Sequence, residues 1–424
     1  MNLFSRGLRV AALLLWMSAC PAVAVEKQFT LTVKAGTHDH ANVPAVVTLQ
    51  LPAALAGARS ATLTCPAGNK IAGQLTAPEL LNGAVAAEGS VVRELHFILP
   101  NLKREAAMSL KAVISTEPAV EPGFAWKEAP GEYAELSFDG RPVMRYVSKP
   151  FDATSKESKE DTGKPFHHLY DPRGRRFVTN GGPDGLYPHH RGLFYGFSKI
   201  RYGDLTGVNT WAGADTGHQE HNAFVAQEAG PVLGRHRVAI DWVGPESDVF
   251  AVEDREMTAY HVPGGILVEF ASRLSSKVGA IKLDGDPQHA GFQFRAANEV
   301  AEKTDKQTWY LRPDGKGAAG ETRNWDHKTR DPACVNLPWH ACSFVLGGQR
   351  YTCVYVDKPS NPKEARFSER SYARFGSYFE YELEEGKDLE LNYRIWLQEG
   401  EIAPETAQTL SDDFVDPVEV VVEP

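Results

Sequence analysis

Long apolar runs are scarce in this sequence of 424 residues. Beyond residue 24, no stretch supplies the ~18 continuous apolar residues that a membrane-spanning helix requires, so we expect no membrane span in the mature chain. Positive charge is also in deficit, because 45 Lys and Arg residues stand against 55 Asp and Glu residues, for a formal net charge of -10. Nucleic-acid binding usually needs a basic face, and this balance argues against such a partner.

Several local catalytic signatures are missing as well. The chain contains no Gly-x-Ser-x-Gly elbow, phosphate-binding loop or dinucleotide fingerprint. Serine hydrolase, nucleotide and nicotinamide chemistry therefore have no local support. Glycoside hydrolysis stays open, because its paired carboxylates come from distant strands and cannot be recognised by spacing.

Strong helical periodicity is lacking too, and short alternating runs bounded by Gly, Pro and Asn predict strands almost throughout. The first series predicts a small antiparallel β-sandwich, an accessory domain over residues 25–120. A proline-rich joint, Glu117 to Gly123, then precedes a second series, which predicts a large antiparallel β-sandwich over residues 121–424. The charged, apolar-poor segment 155–164 predicts an exposed loop. The expected fold class is all-β.

The first 24 residues predict a secretion signal. Arg6 and Arg9 form a basic region, residues 10–17 are apolar, and Ala22-Val-Ala24 offers a small-residue cleavage site. A weak lipoprotein box leaves lipid attachment at Cys20 as an alternative. In either case we expect the mature protein in the periplasm or outside the cell.

Cleavage would leave few cysteines for so long a chain. An oxidising compartment permits disulfides among the last three of them, and buried free thiols are the alternative. The intervals do not match a zinc-binding pattern. The four are Cys65, Cys334, Cys342 and Cys353.

The segment from Asp184 to Phe197 concentrates the most unusual chemistry, because it contains Asp184, His189, His190 and Arg191 within a few residues. Its proline and three glycines argue against a helix. An imidazole can act as acid, base or metal ligand near neutral pH, and an arginine fork suits carboxylates. On a strand, adjacent histidines point to opposite faces, so at most one of the two would enter a given site.

Trp211 and its surroundings form a second candidate stretch. Trp211 is a candidate for stacking on a sugar ring, although a core position is equally consistent with its residue type. Glu220 lies between His218 and His221, whose spacing does not match the zinc-protease motif.

Two further stretches gather polar residues near strand ends. His289 precedes a predicted strand that carries Arg295, a place where site residues often lie. His340 and Asn361 occupy a strand start and a proline-stiffened turn, and these structural roles are the alternative interpretation. For the polar turn that contains His38 and His40, a surface turn is favoured over a metal site.

Several of these motifs together resemble a bacterial family of unknown function that is labelled PmoA-like. The resemblance covers residues 124–404 and implies a secreted, β-rich protein similar to galactose-mutarotase-type sandwiches, which occur in sugar epimerases, lyases and hydrolases. Methane monooxygenase subunits have several membrane-spanning helices, so the label does not describe an activity of this chain. The family often has an acidic residue where this chain has His289. The motifs are Asp139-Gly-Arg-Pro-Val-Met-Arg-Tyr146, Tyr187-Pro-His-His-Arg-Gly-Leu193, Gly207-Val-Asn-Thr-Trp211, Gly291-Phe-Gln-Phe-Arg295, Lys358-Pro-Ser-Asn-Pro362 and Leu391-Asn-Tyr-Arg-Ile-Trp396.

We therefore predict a secreted carbohydrate-active enzyme that uses His/Arg acid-base chemistry for hydrolysis, elimination or epimerisation. The predicted catalytic residues are His189, His190, Arg191 and His289. The predicted substrate-binding residues are Asp184, Trp211, Glu220, Arg295, His340 and Asn361.

Two alternatives stay open: a non-catalytic glycan-binding or envelope protein, and a metal-dependent enzyme with histidine ligands. No cofactor is firmly implied, and a divalent metal is possible. The expected partner is a carbohydrate or another small polar substrate. For a metal, the candidate ligands are drawn from His189, His190, His218, His221 and His340.

Overall fold

The computed structural model describes residues 26–116, 122–182, 185–213 and 215–423. The predicted signal segment with Cys20, and the candidate residue Asp184, lie outside the described residues. None of the helices in these ranges has the length and apolar character needed to cross a membrane.

Seven strands form the sheet at the N-terminal end of the protein. They follow the order β2-β5-β4-β3-β6-β1-β29, so the last strand of the chain pairs with the first. The edge strands β2 and β29 also contact each other, which rolls the sheet around its own apolar core. The strands are β1 Glu26–Lys34, β2 His40–Pro52, β3 Ser60–Thr64, β4 Lys70–Thr76, β5 Ser90–Leu102, β6 Ala107–Ser115 and β29 Glu419–Val422.

The remaining strands build a large sandwich. Two antiparallel nine-stranded sheets have the orders β22-β25-β26-β19-β11-β10-β9-β8-β7 and β14-β15-β16-β17-β28-β24-β23-β20-β21. A four-stranded sheet, β13-β12-β18-β27, lies beside them. The strands are β7 Phe124–Ala129, β8 Tyr133–Phe138, β9 Arg141–Val147, β10 Phe166–Leu169, β11 Leu193–Phe197, β12 Ile200–Tyr202, β13 Leu205–Val208, β14 His218–Ala229, β15 Leu233–Val243, β16 Val249–Tyr260, β17 Gly265–Ser276, β18 Ile281–Leu283, β19 Ala290–Arg295, β20 Trp309–Arg312, β21 Gly315–Lys316, β22 Arg323–Asn324, β23 Trp339–Leu346, β24 Gln349–Asp357, β25 Arg366–Arg370, β26 Arg374–Tyr378, β27 Tyr381–Leu383 and β28 Asp388–Glu399.

Aromatic side chains from the two large sheets meet in one continuous core. Phe292 on β19 stacks on Phe270 on β17 with ring centroids 4.3 Å apart, and Phe294 contacts Phe344 on β23. Each such strand turns alternate side chains inward, which is why the alternating sequence pattern buries a complete face. The prediction of an all-β protein with a large antiparallel sandwich is confirmed.

Within the described ranges, helical structure is limited to short segments. The charged segment predicted as a loop contains helix α1, Lys156–Thr162, because Ser155 and Ser158 form a reciprocal capping box at its start. Helix α2, Pro404–Val415, packs Ala407 and Phe414 into a second apolar cluster of the large sandwich. Single turns of 3₁₀- or π-helix occupy Ala53–Leu55, Val300–Thr304, Asp305–Gln307 and Pro332–Cys334.

The four described cysteines are all free thiols. Cys342 and Cys353 are directly opposite each other on β23 and β24, and both are buried. Of the two alternatives that the sequence left open, the structure therefore has buried thiols at these positions.

The N-terminal sheet is fixed to the large sandwich by buried polar contacts. Gln74 accepts hydrogen bonds from the backbone N–H groups of Val232 and Leu233 and donates one to the carbonyl of Leu233. Arg235 lies 3.5 Å from Glu94 of the N-terminal sheet. The proposed division at residue 120 falls between β6 and β7, and β29 crosses back over it. The chain therefore passes between the two units twice, once after β6 and once before β29.

Glu79 lies at this interface and gives it a pH dependence. Burial, followed by the neighbouring Glu94, raises the pKa of Glu79 from 4.5 to about 7. The folded protein therefore binds this proton more tightly than the unfolded chain does. The resulting contribution to stability is complete below pH 4.5 and is lost as the pH rises through about 7.

Glu79→Gln should remove that dependence while keeping the side-chain size. Between about pH 5 and about pH 8, we expect the stability of the variant relative to the wild type to increase by about 2–3 kcal/mol. Urea unfolding of both proteins at the two pH values measures this change. A stability difference that does not vary with pH would contradict the assignment.

Candidate functional site

Three histidines converge where two loops meet beside neighbouring strands. His189 and His190 precede β11, His289 precedes β19, and these two strands pair antiparallel. The ring centroids lie 4.3 Å apart for His189 and His190, and 6.4 and 6.3 Å from each of them to His289. One nitrogen from each ring lies within 4.8 Å of the others. We call these three residues the histidine cluster.

His190 is the most constrained member of the histidine cluster. Its side chain is buried, yet within the described residues neither ring nitrogen has a hydrogen-bond partner. Buried polar atoms are normally paired, so an imidazole with two orphaned nitrogens calls for a ligand. The two ring nitrogens of His190 are therefore candidate ligand atoms for a bound ion or molecule.

His289 is oriented by a carboxylate. Its Nδ1 lies 3.0 and 3.1 Å from the two carboxylate oxygens of Asp286, so Nδ1–H donates and the Nε2 lone pair is left for another partner. A carboxylate behind the imidazole is the usual support of a metal-binding histidine. The His289 side chain is 42% exposed, which opens this side of the cluster to solvent.

The electrostatic surroundings keep two of the histidines neutral. Burial, followed by the neighbouring Lys164, His289 and Arg374, lowers the pKa of His189 to about 3. Burial and then Arg374 lower the pKa of His190 well below its ordinary value. Their ring nitrogens consequently carry free lone pairs at neutral pH.

Two backbone conformations that only glycine adopts easily bring the loops together. Gly192 has φ +49°, and a Cβ there would lie 2.1 Å from the carbonyl oxygen of His167. Gly291 has φ +81°, and a Cβ there would lie 2.0 Å from the carbonyl oxygen of Ser377. Larger residues at either position would push β11 or β19 away from its neighbour.

Arg191, predicted to be catalytic, instead holds the loop in place. Its guanidinium is buried and donates to the carboxylate of Asp161 at 2.9 Å and to the backbone carbonyls of Glu160 and Pro188. These acceptors already occupy the guanidinium N–H groups that a substrate carboxylate would need. The structure makes Arg191 a positioning residue that fixes the histidine loop to α1.

Arg295 was predicted to bind substrate, and it too is engaged by the protein. Its Nη atoms donate to the carbonyls of Ala296 and Tyr372 and to the side chain of Asn298. It lies under the ring of Tyr372, at 4.8 Å from the centroid. Arg295 thus supports the rim of the site from beneath.

Trp211 belongs to the core rather than to an exposed sugar platform. It is 1% exposed and packs against Phe194 with ring centroids 4.5 Å apart. Its edge contact with His190, at 5.6 Å between centroids, makes it a wall of the histidine cluster. The prediction that Trp211 stacks on a sugar is wrong for this conformation, because the ring faces are covered.

The other predicted residues lie in separate environments. Glu220 pairs with His218 at 2.7 Å on β14, in the opposite large sheet. His340 is buried among aromatic rings and contacts Glu369 at 3.1 Å. Asn361 bonds to Asp357 and to the backbone of Asn392. Each of the three is engaged by these partners, and none lies in the histidine cluster.

Sequence reasoning missed several neighbours of the histidine cluster. Lys164 donates to the carbonyl of Trp211, and burial lowers its pKa well below the ordinary value. Arg374 is buried and bonds to Gln293. Tyr187 and Tyr372 stack at the rim with centroids 5.1 Å apart. Among these neighbours of the cluster, Asp286 alone could have been recognised from the sequence, because it precedes His289 by three residues.

Comparison with known proteins places the chain in a family without a known activity. Residues 133–412 match the family of unknown function DUF6807, and the chain belongs to that family. The expectation of an uncharacterised family is confirmed, and the PmoA-like label rests on the sequence motifs alone. No curated protein matches the chain.

Two solved structures show a weak likeness to the chain. A glycosyl hydrolase family 38 protein and an α-mannosidase, both from Enterococcus faecalis, each give a TM-score of 0.44, at 8% and 6% sequence identity. The alignments cover 94% of this chain and 47% and 46% of the two others, so the chain spans about half their length. A likeness of this degree does not extend to function.

Replacing Arg191 tests its positioning role. Arg191→Ala should lower the free energy of unfolding by about 2–3 kcal/mol, because it leaves buried carbonyls and part of the Asp161 charge unpaired. The matched control Arg201→Ala, on an exposed position of β12, should change it by less than about 0.5 kcal/mol. If Arg191 served substrate binding alone, both variants would unfold like the wild type in urea.

Proposed function

We propose that this protein is a metal-dependent enzyme acting on a carbohydrate, with His189, His190 and His289 as the metal ligands. The observation that carries the proposal is the buried His190, whose two ring nitrogens lack partners beside two further imidazoles. Three histidines plus an open position are a recurrent ligand set of catalytic zinc.

The spacing and support of the ligands are consistent with one ion. A tetrahedral zinc with bonds of about 2.0–2.1 Å holds its nitrogen ligands about 3.4 Å apart, so nitrogens within 4.8 Å need only small side-chain movements. Asp286 supplies the outer carboxylate on His289. Imidazole ligands also suit iron, nickel and copper, so zinc is the first metal to test.

Metal chemistry fits this site better than acid-base catalysis by His189 itself. A histidine whose pKa is about 3 is a weak base and carries almost no proton to donate at neutral pH. As a ligand, the same neutral imidazole is well suited. A bound ion would polarise a substrate oxygen or activate a water, which serves hydrolysis, elimination or epimerisation.

The aromatic rim supports a sugar as the substrate. Tyr187 is 46% exposed and stacks on Tyr372, whose ring lies parallel to His190 at 6.5 Å between centroids. Tyr187 also adopts φ 59°, a left-handed conformation that is costly for a bulky residue and typical of functional loops. A sugar could lie against these rings with its hydroxyls directed at the histidine cluster.

Two further parts of the proposal come from the sequence. The apolar and basic pattern of residues 1–24 supports export to the periplasm or beyond. The PmoA-like motifs support kinship with secreted β-rich proteins of the galactose-mutarotase type. Neither part bears on the metal, which rests on the geometry of the three imidazoles.

Metal binding should depend on His190. After chelator treatment and zinc titration, His190→Ala should bind zinc at least about 100-fold more weakly at this site, since it lacks one of three ligands. Isothermal titration calorimetry measures the affinity and elemental analysis the stoichiometry.

Two other variants make this experiment specific. His327→Ala removes an exposed histidine outside the cluster and should bind like the wild type. Asp286→Asn keeps the ligands and should weaken binding by about 10- to 100-fold. Equal zinc binding by the wild type and His190→Ala would refute the metal centre.

Turnover of a panel of glycans or glycosides should require the bound ion and the aromatic rim of Tyr187 and Tyr372. Chelated protein should be inactive and recover with zinc, whereas Tyr372→Ala should raise KM about tenfold through the loss of ring stacking. Tyr372→Phe keeps the ring and should resemble the wild type.

The same panel distinguishes catalysis from binding alone. Sugar binding without turnover by the zinc-loaded protein would favour the non-catalytic glycan-binding alternative. Turnover that survives replacement of both His189 and His190 by Ala would eliminate the proposed mechanism.

A further inference from the structure

A second group of metal-type ligands joins the two ends of the described chain. His38 lies in the turn between β1 and β2, His40 begins β2, and Asp413 comes from α2. His38 Nε2 and His40 Nδ1 lie 3.2 and 2.7 Å from the same carboxylate oxygen of Asp413. The side chains of His40 and Asp413 are almost completely buried. The turn has exposed residues, as the sequence predicts, and it also contacts α2 through His38 and His40.

The hydrogen bonds of His40 require a positive species at its Nδ1. Its Nε2 lies 2.7 Å from the carbonyl oxygen of Ala35, which can only accept, so Nε2 carries the hydrogen of a neutral ring. The lone pair on Nδ1 then faces a carboxylate oxygen, which also only accepts when ionised. A positive species, either a second proton or a metal ion, must lie between them.

We infer that His38, His40 and Asp413 form a second divalent-cation site, which connects the N-terminal sheet to α2. A tetrahedral zinc with bonds of about 2.0–2.2 Å holds neighbouring ligand atoms about 3.4 Å apart, so the observed 2.7 and 3.2 Å require the side chains to move apart by less than about 1 Å on binding. The bond from His40 Nε2–H to the Ala35 carbonyl is the outer support that a histidine ligand normally has.

The surroundings leave room to complete the coordination. Asp413 lines two cavities of about 490 and 370 Å³ at the junction of the N-terminal sheet and the large sandwich. Water molecules in either space could fill the remaining positions around an ion. Two histidines and one carboxylate leave such positions open.

The position in the chain assigns a structural role to this site. Helix α2 is followed by β29, which completes the N-terminal sheet beside β1. Thr37 also donates to Asp416 at 3.2 Å, so the turn and the end of α2 are already in contact. A cation at His38, His40 and Asp413 would connect α2 to the turn between β1 and β2 and so stabilise the folded protein.

Zinc binding by a protein without the histidine cluster tests this inference independently of the proposed function. In the His189→Ala/His190→Ala double variant, stripped with chelator, zinc titration should show one remaining equivalent and a rise in Tm on saturation. Adding His38→Ala or Asp413→Asn should weaken that binding by at least about 100-fold and abolish the rise in Tm. Adding His261→Ala, at an exposed position outside the site, should leave both unchanged.

A second background guards against a double variant that does not fold. In the otherwise unaltered chain, His38→Ala alone should remove one equivalent of zinc, whatever the number bound by the wild type. His38 is the mildest choice, because its side chain is 19% exposed in a turn. A folded double variant that binds no zinc, or binds it equally well with His38→Ala or Asp413→Asn added, would overturn the inference and leave a proton between His40 and Asp413.

Discussion

The packing of two loops over the antiparallel strand pair β11 and β19 is the constraint on which the candidate site depends. These strands lie side by side within a nine-stranded sheet, although about 100 residues separate Leu193 from its partner Phe294. Burial of their apolar side chains against the opposite sheet stabilises the pair, and the register follows from which side chains face inward. The register places Leu193 opposite Phe294 and Phe197 opposite Ala290, so the loops of His190 and His289 leave opposite ends of the pair and meet by folding back over it. A slip of one residue would turn the apolar side chains outward and displace the surface over which the loops meet.

The same burial determines the chemistry of the site. Positive groups, Lys164 and Arg374, surround imidazoles that have lost most of their water, so the neutral form of each ring is favoured. Neutral imidazoles are poor proton donors but good metal ligands, which is why the geometry shifts the functional hypothesis from histidine acid-base catalysis to a metal centre. Arg191 and Arg295 contribute indirectly, by holding the loop and the aromatic rim.

Both histidine groups lie where separate parts of the chain must be held together. One joins loops beside β11 and β19, and the other joins the turn after β1 to helix α2. An ion at such a place adds binding free energy to folding, because the unfolded chain does not assemble the ligands. The two proposed ions would differ in role, since the first is open to solvent beside His289 and the second has a nearly buried His40.

Local pattern in the sequence was enough for the fold class and for some of the site. Alternating side chains indicate which strand face is buried, so the all-β class and the large sandwich could be predicted. His189, His190 and His289 could also be recognised as candidate site residues. The local sequence pattern did not reveal that β29 pairs with β1, because that contact joins residues almost 400 positions apart.

The roles of individual polar residues were decided only by the tertiary structure. Whether Arg191 meets a substrate or the carbonyls of α1, and whether Trp211 is exposed or enclosed, depends on what distant segments place beside them. The same holds for Lys164, whose position next to the histidine cluster has no sequence signal. Residue type and spacing determined which groups could do chemistry here, while long-range packing decided which of them meet, because burial and partners are properties of the folded chain.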